Sequence, residues 1–91
     1  MEVIWSESAF GRISDIGSFI AVDSPARAGQ FVDRMIASVG RLAKFPFSGS
    51  LTPENPAFRQ IVFEKYRIIY RITRRGVEIV TVVSPGQGAA F

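Results

Sequence analysis

Residues 58–83 read FRQIVFEKYRIIYRITRRGVEIVTVV, and this stretch decides the fold. Its apolar residues recur at every second position, the period of a strand, so it reads as three successive strands at about Phe58–Phe63, Tyr66–Thr73 and Val77–Val83. Glu64-Lys65 joins the first pair. Arg74-Arg75-Gly76 joins the second, with Gly76 suited to the left-handed position of a three-residue hairpin. In the middle strand Tyr66, Ile68, Tyr70 and Ile72 share one face, and Arg67, Ile69 and Arg71 share the other. The first face is suited to cover a core. The second holds guanidinium groups on a stiff support, as either a solvated outer surface or fixed positive charge for a phosphate or carboxylate partner.

Upstream of the meander, FPFSGSLTPENP at Phe45–Pro56 contains three prolines and a glycine and reads as a crossing loop. Before it, Asp23-Ser24-Pro25 marks a helix start. Ser24 suits the N-cap, and Pro25 suits the first helical position, where no amide bond is lost. That helix runs to about Lys44, with Ala28, Phe31, Val32, Met35, Val39 and Leu42 on its apolar face. Arg27, Arg34 and Arg41 line one flank, a spacing that reads as a solvated edge.

An earlier helix is capped by Ser6, with Glu7 in its first turn. Ala9, Ile13, Ile16 and Ile20 form its buried stripe, with Phe10 beside it. Gly11 and Gly17 each weaken this helix by about 1 kcal/mol relative to Ala and permit close approach of a neighbour. Glu2–Trp5 is a short apolar strand, in which Trp5 belongs to the core. The connection between the helices is short, so they form an antiparallel hairpin.

The order β-α-α-β-β-β defines an α+β class, with the N-terminal strand and helix hairpin packed on one face of a small antiparallel sheet. The expected core is Ile13, Ile16, Ile20, Phe31, Met35, Val39, Tyr66, Ile68 and Ile72. Such a sheet has an edge open to strand addition, and the hairpin offers an apolar groove to an amphipathic helix. The tail from Ser84 to Phe91 is turn-rich and expected to fray, with Phe91 the residue able to dock.

Ninety-one residues make a single domain, 1–91, large enough for a modest core. The chain has no Cys and no His, which removes disulfides, thiol nucleophiles, thiolate or imidazole metal sites and the usual neutral-pH base. No cofactor and no metal are expected. The start of the chain lacks a signal-peptide run, and no segment is long and apolar enough to span a membrane, so a soluble, cytoplasmic protein with no membrane partner is expected. The net charge of +3 is unevenly placed: residues 1–50 carry five basic and five acidic groups, and residues 51–91 carry six and three. The excess therefore lies on the sheet half and favours an acidic partner or nucleic acid.

VIWSESA, IAVDSPARA, LAKFPFSG, FRQIVFEKYRIIYRI and VEIVTVV, taken in order, resemble the RelE/ParE superfamily of bacterial type II toxins over nearly the whole chain, and its ParE branch most. The resemblance implies a toxin neutralised by a small ParD-like antitoxin. The pair would form a hetero-oligomer that meets DNA only through the antitoxin. ParE-like members act on DNA gyrase, and RelE-like members cut messenger RNA on the ribosome. Arg59 matches the family's arginine in the first meander strand. Arg67 matches the arginine of its Tyr-Arg pair, and Tyr70-Arg71 match the second such pair. These three arginines are the expected target-binding residues, with no catalytic residue among them.

The chain departs from the family after the last strand. Ser84-Pro85-Gly86-Gln87 stands where a His-Gly-x-Arg type segment is common. Ribonuclease chemistry needs a base for the ribose 2′-hydroxyl and an acid for the leaving oxygen. Tyr66 and Tyr70 lie on the strand face opposite Arg67, and nothing near the C-terminus supplies that pair. The gyrase reading is therefore preferred, with the ribonuclease and a toxin fold without toxicity as alternatives.

Overall fold

Two serines start the two helices. Ser6 precedes α1 (Glu7–Ala21), and its hydroxyl accepts the Ala9 N–H at 3.0 Å while donating to the Val80 carbonyl at 2.8 Å. One side chain thus caps the helix and ties it to the last strand. Ser24 caps α2 (Pro25–Gly40) by accepting the Arg27 N–H at 3.2 Å, with Pro25 in the first turn. A 3₁₀ turn, Arg41–Ala43, finishes the second helix close to the expected end. The computed structural model describes residues 1–88. The expectation for Phe91 lies outside the described residues.

The strands are β1 (Val3–Trp5), β2 (Ser50–Leu51), β3 (Arg59–Phe63), β4 (Tyr66–Thr73) and β5 (Gly76–Val83). They form one sheet in the order β1-β5-β4-β3-β2. The α+β class and the helix hairpin on one face are as the sequence predicts. Two features refine the all-antiparallel picture. The N-terminal strand joins the sheet edge and runs parallel to β5, with Val3 opposite Val77. Since β2, β3, β4 and β5 alternate in direction, β1 runs opposite to β2, the strand that the chain enters after the helix hairpin. The loop at 45–56 also contributes a short strand, β2, paired antiparallel to β3.

The helices lie over the sheet with α1 above β5 and α2 above β3. Ile13, Ile16, Met35, Val39 and Ile68 are buried, and Ile20, Phe31, Tyr66 and Ile72 pack against them from partly covered positions. Phe31 meets Phe63 and Tyr66 edge-on, each with ring centroids 5.4 Å apart. Trp5 also packs against this core. Gly17 explains the closeness of the helices, since a Cβ there would stand 3.1 Å from Val32 Cγ2. Gly11 meets nothing within 4 Å, so it plays no such part.

A bulge interrupts the β4–β5 register, with Ile69 opposite Thr81 and Tyr70 opposite Ile79. Val80 is the extra residue. It shifts the strand's phase so that Val77, Ile79 and then Val82 face the helices, while polar Thr81 does not. The turns also differ from expectation. Thr73 pairs directly with Gly76, so Arg74-Arg75 form a two-residue turn and Gly76 belongs to β5. Gly76 is needed for another reason: at φ 143° it lies against β1, where a Cβ would fall 2.2 Å from the Glu2 carbonyl oxygen. In the other hairpin Glu64 itself takes a positive φ of 55°.

Candidate functional site

The outer side of the helix hairpin is a groove of about 550 Å³. Its walls include Phe10, Ile13 and Gly17 of α1 and Val32 and Ile36 of α2, with Trp5 at one end. Phe10, assigned beside the buried stripe, is instead 65% exposed, and Ile36 is 46% exposed. Asp33 is the sole charged side chain among the described lining residues. A surface of this kind can bury the apolar stripe of a partner helix, with one basic group opposite Asp33.

The sheet face away from the helices carries Arg67 and Arg71. Both are occupied. The Arg67 guanidinium donates to both Glu54 carboxylate oxygens at 2.7 Å, and its Nε donates to Gln60 Oε1 at 2.7 Å. This bidentate fork holds the Glu54 carboxyl below its ordinary range and raises Arg67. Arg71 donates from Nε to Glu78 at 2.6 Å. Glu64 lies 3.8 Å from Arg34, whose guanidinium also sits over the Phe63 ring at 5.5 Å. Each carboxylate of the sheet half thus faces an arginine, which the sequence spacing does not show. The face is a set of paired charges rather than a row of bare cations.

Arg59 is not with them. It pairs in register with Tyr70, which places it on the helix-side face. Its Nη1 donates to the Gly49 carbonyl at 2.8 Å, and its guanidinium lies over the Phe47 ring at 5.1 Å. The structure therefore brings Arg67 and Arg71 to one face and sends Arg59 to the loop that follows the helices.

Both tyrosines turn toward the helix side, as expected. Tyr70 is fully buried, donating from its hydroxyl to the Pro46 carbonyl at 2.8 Å and accepting the Gly49 N–H at 3.0 Å. Tyr66 is held in the aromatic cluster with Phe31.

Arg12 is a residue that sequence reasoning missed. From α1 it donates to the Val82 carbonyl at 3.1 Å, to Ser84 Oγ at 3.0 Å and to Gln87 Oε1 at 3.2 Å. The segment after β5, expected to fray, is thus tied down as far as Gln87, which also closes a turn onto the Ser84 carbonyl at 3.2 Å. No local signal marks Arg12, because its partners lie at the other end of the chain.

Comparisons with known proteins agree with this architecture. A family model described as the ParE toxin of the type II toxin-antitoxin system, parDE, matches residues 3–87. The protein Y4kP of Sinorhizobium fredii is 36% identical over 85 residues, covering 91% of this chain and 86% of that protein. Among solved structures, a chain of the chromosomal ParDE TA system from P. aeruginosa superposes with a TM-score of 0.82 at 18% identity, covering 93% of this chain and 96% of that one. That likeness is one of fold.

Proposed function

This chain belongs to the family of ParE toxins of type II toxin-antitoxin systems, and from that premise we propose that a ParD-like antitoxin neutralises it through the groove between α1 and α2, and that its target is DNA gyrase. The observation that carries the reading is the groove itself, apolar and open along the hairpin. An amphipathic antitoxin helix would place apolar anchors at every third or fourth residue against Phe10, Val32 and Ile36, with a Lys or Arg opposite Asp33. A segment that continues around the domain would bury on the order of 1,600 Å² or more.

The same geometry supports gyrase over messenger RNA cleavage. Moving protons in RNA cleavage needs a base and an acid at one phosphate. The chain has no His, and the Tyr70 hydroxyl is spent on the Pro46–Gly49 loop. Arg67 and Arg71 supply the contact face toward the target, where their bonds to Glu54 and Glu78 would be exchanged for bonds to target carboxylates or phosphates. Arg59 would act apart from them.

The test separates the two surfaces. A Cβ at Gly29 meets nothing within 4 Å, and Gly29 lines the groove. Gly29→Trp should fill the groove without straining the helix. The expected result is loss of antitoxin co-purification with unchanged inhibition of gyrase supercoiling. Ribosome-dependent mRNA cleavage by the purified chain, abolished in Arg67→Ala, would refute the gyrase assignment. Undiminished antitoxin binding by Gly29→Trp would refute the groove.

A further inference from the structure

Between Asp33 and Glu54 every charged residue is basic: Arg34, Arg41 and Lys44. Within this run, the loop after α2 displays two phenylalanines to solvent, Phe45 at 61% and Phe47 at 67% exposure. Neither sits on a loose segment. The Phe45 N–H bonds to the Arg41 carbonyl at 2.9 Å, and the Ser48 N–H bonds to the Phe45 carbonyl at 3.1 Å. The buried Tyr70 hydroxyl clamps Pro46 and Gly49 from below. Lys44, Phe45, Pro46, Phe47 and Ser48 enclose a shallow notch of about 410 Å³. One face of the Phe47 ring carries the Arg59 guanidinium at 5.1 Å, which leaves its other face and the Phe45 ring to solvent on a fixed backbone, so the ordering cost is already met before any partner arrives.

We propose that this loop is a docking point for single-stranded DNA, with bases stacking on Phe45 and on the open face of Phe47 and phosphates met by Lys44 and Arg59. The combination of aromatic rings with cations alone matches the two terms of sequence-tolerant strand binding, stacking and phosphate neutralisation. Stacking needs no hydrogen-bond readout, and the notch offers almost none. Ser48 is its only hydroxyl, so a ribose 2′-hydroxyl taken from water would find little to bond, which favours DNA over RNA. A peptide strand is a poorer occupant. The adjoining strand β2 has two residues, and Pro53 lies just beyond it, so strand addition would gain few backbone bonds. The inference is independent of the gyrase reading. It departs from the expectation that the chain meets DNA only through its antitoxin.

The experiment uses the full chain free of antitoxin and a short fluorescein-labelled oligothymidylate, with anisotropy followed across a salt series. Binding should weaken steeply with salt. Phe45→Ala and Phe47→Ala should each weaken it roughly tenfold, about 1.4 kcal/mol, with thermal unfolding little changed. Phe19→Ala, which removes a similarly exposed ring elsewhere, should have no effect. Lys44→Ala should reduce the salt slope by about 0.7. Phe45→Trp should keep affinity and show quenching of its added indole on binding. The proposal is overturned if the oligothymidylate does not bind at low salt, or if both alanine variants bind as the parent does. Equal binding of oligouridylate or polyglutamate also overturns it, because the loop would then be a general anion surface.

Discussion

Tyr70→Phe removes one oxygen and tests how the loop after the helices is held. The Tyr70 hydroxyl makes two hydrogen bonds, to the Pro46 carbonyl at 2.8 Å and from the Gly49 N–H at 3.0 Å. The Pro46 bond is partly buried, so water can replace the hydroxyl there and the loss is about 1 kcal/mol. The Gly49 N–H is buried, and orphaning it costs about 2 kcal/mol, within the range for an unsatisfied buried donor. The sum is about 3 kcal/mol. A chain of this length has a total stability of roughly 5–14 kcal/mol, so the variant should still fold. At about 4–8 °C per kcal/mol for a domain this small, Tm should fall by roughly 12–24 °C. Urea unfolding followed by Trp5 fluorescence should give a lower midpoint at unchanged slope. Hydrogen exchange gives a local readout, because the Gly49 amide should lose protection before the β4 amides do. A loss of under about 1 kcal/mol, with Gly49 still protected, would refute the assignment of the hydroxyl as the loop's anchor.

Two further outcomes follow from the same geometry. Hydrogen bonding to Arg67 holds the Glu54 carboxyl below its ordinary value of 4.5. A depressed folded-state value means that the pair's stabilisation is fully present at neutral pH and is lost as pH falls through the acid range below that value. An acid titration of the unfolding midpoint should therefore be less steep in Glu54→Gln, and an identical acid limb would count against the pair. Gly76→Ala would place a methyl 2.2 Å from the Glu2 carbonyl oxygen at a φ of 143°. It should cost about 3 kcal/mol or more and detach β1, because the Glu2 carbonyl just before that strand accepts the Val77 N–H at 2.8 Å. Exchange protection at β1 that survives this substitution would show that the strand is held by other means.

What the sequence determined by itself is whatever depends on neighbours along the chain. Ser6, Ser24 and Pro25 set the helix starts through bonds reaching only three residues. The two-residue period of Tyr66–Thr73 separated Tyr66, Ile68, Tyr70 and Ile72 from Arg67 and Arg71, and the structure keeps that separation. The ordered set of short motifs carried the family, and the absence of His limits the chemistry whatever the fold.

Tertiary structure decided everything that depends on which strand lies beside which. Arg59 reads as a companion of Arg67 until register with Tyr70 turns it to the other face. Arg67 reads as a free cation until Glu54 is brought against it across the sheet's edge. The last strand reads as one unbroken run from Val77 to Val83, with no sign that Val80 is an extra residue. Only pairing with β4 identifies it as a bulge. Arg12 bonds to partners 70 to 75 positions away in the chain. Such contacts are selected by the fit of packed layers and not by local conformational preference, so no window of the sequence contains them.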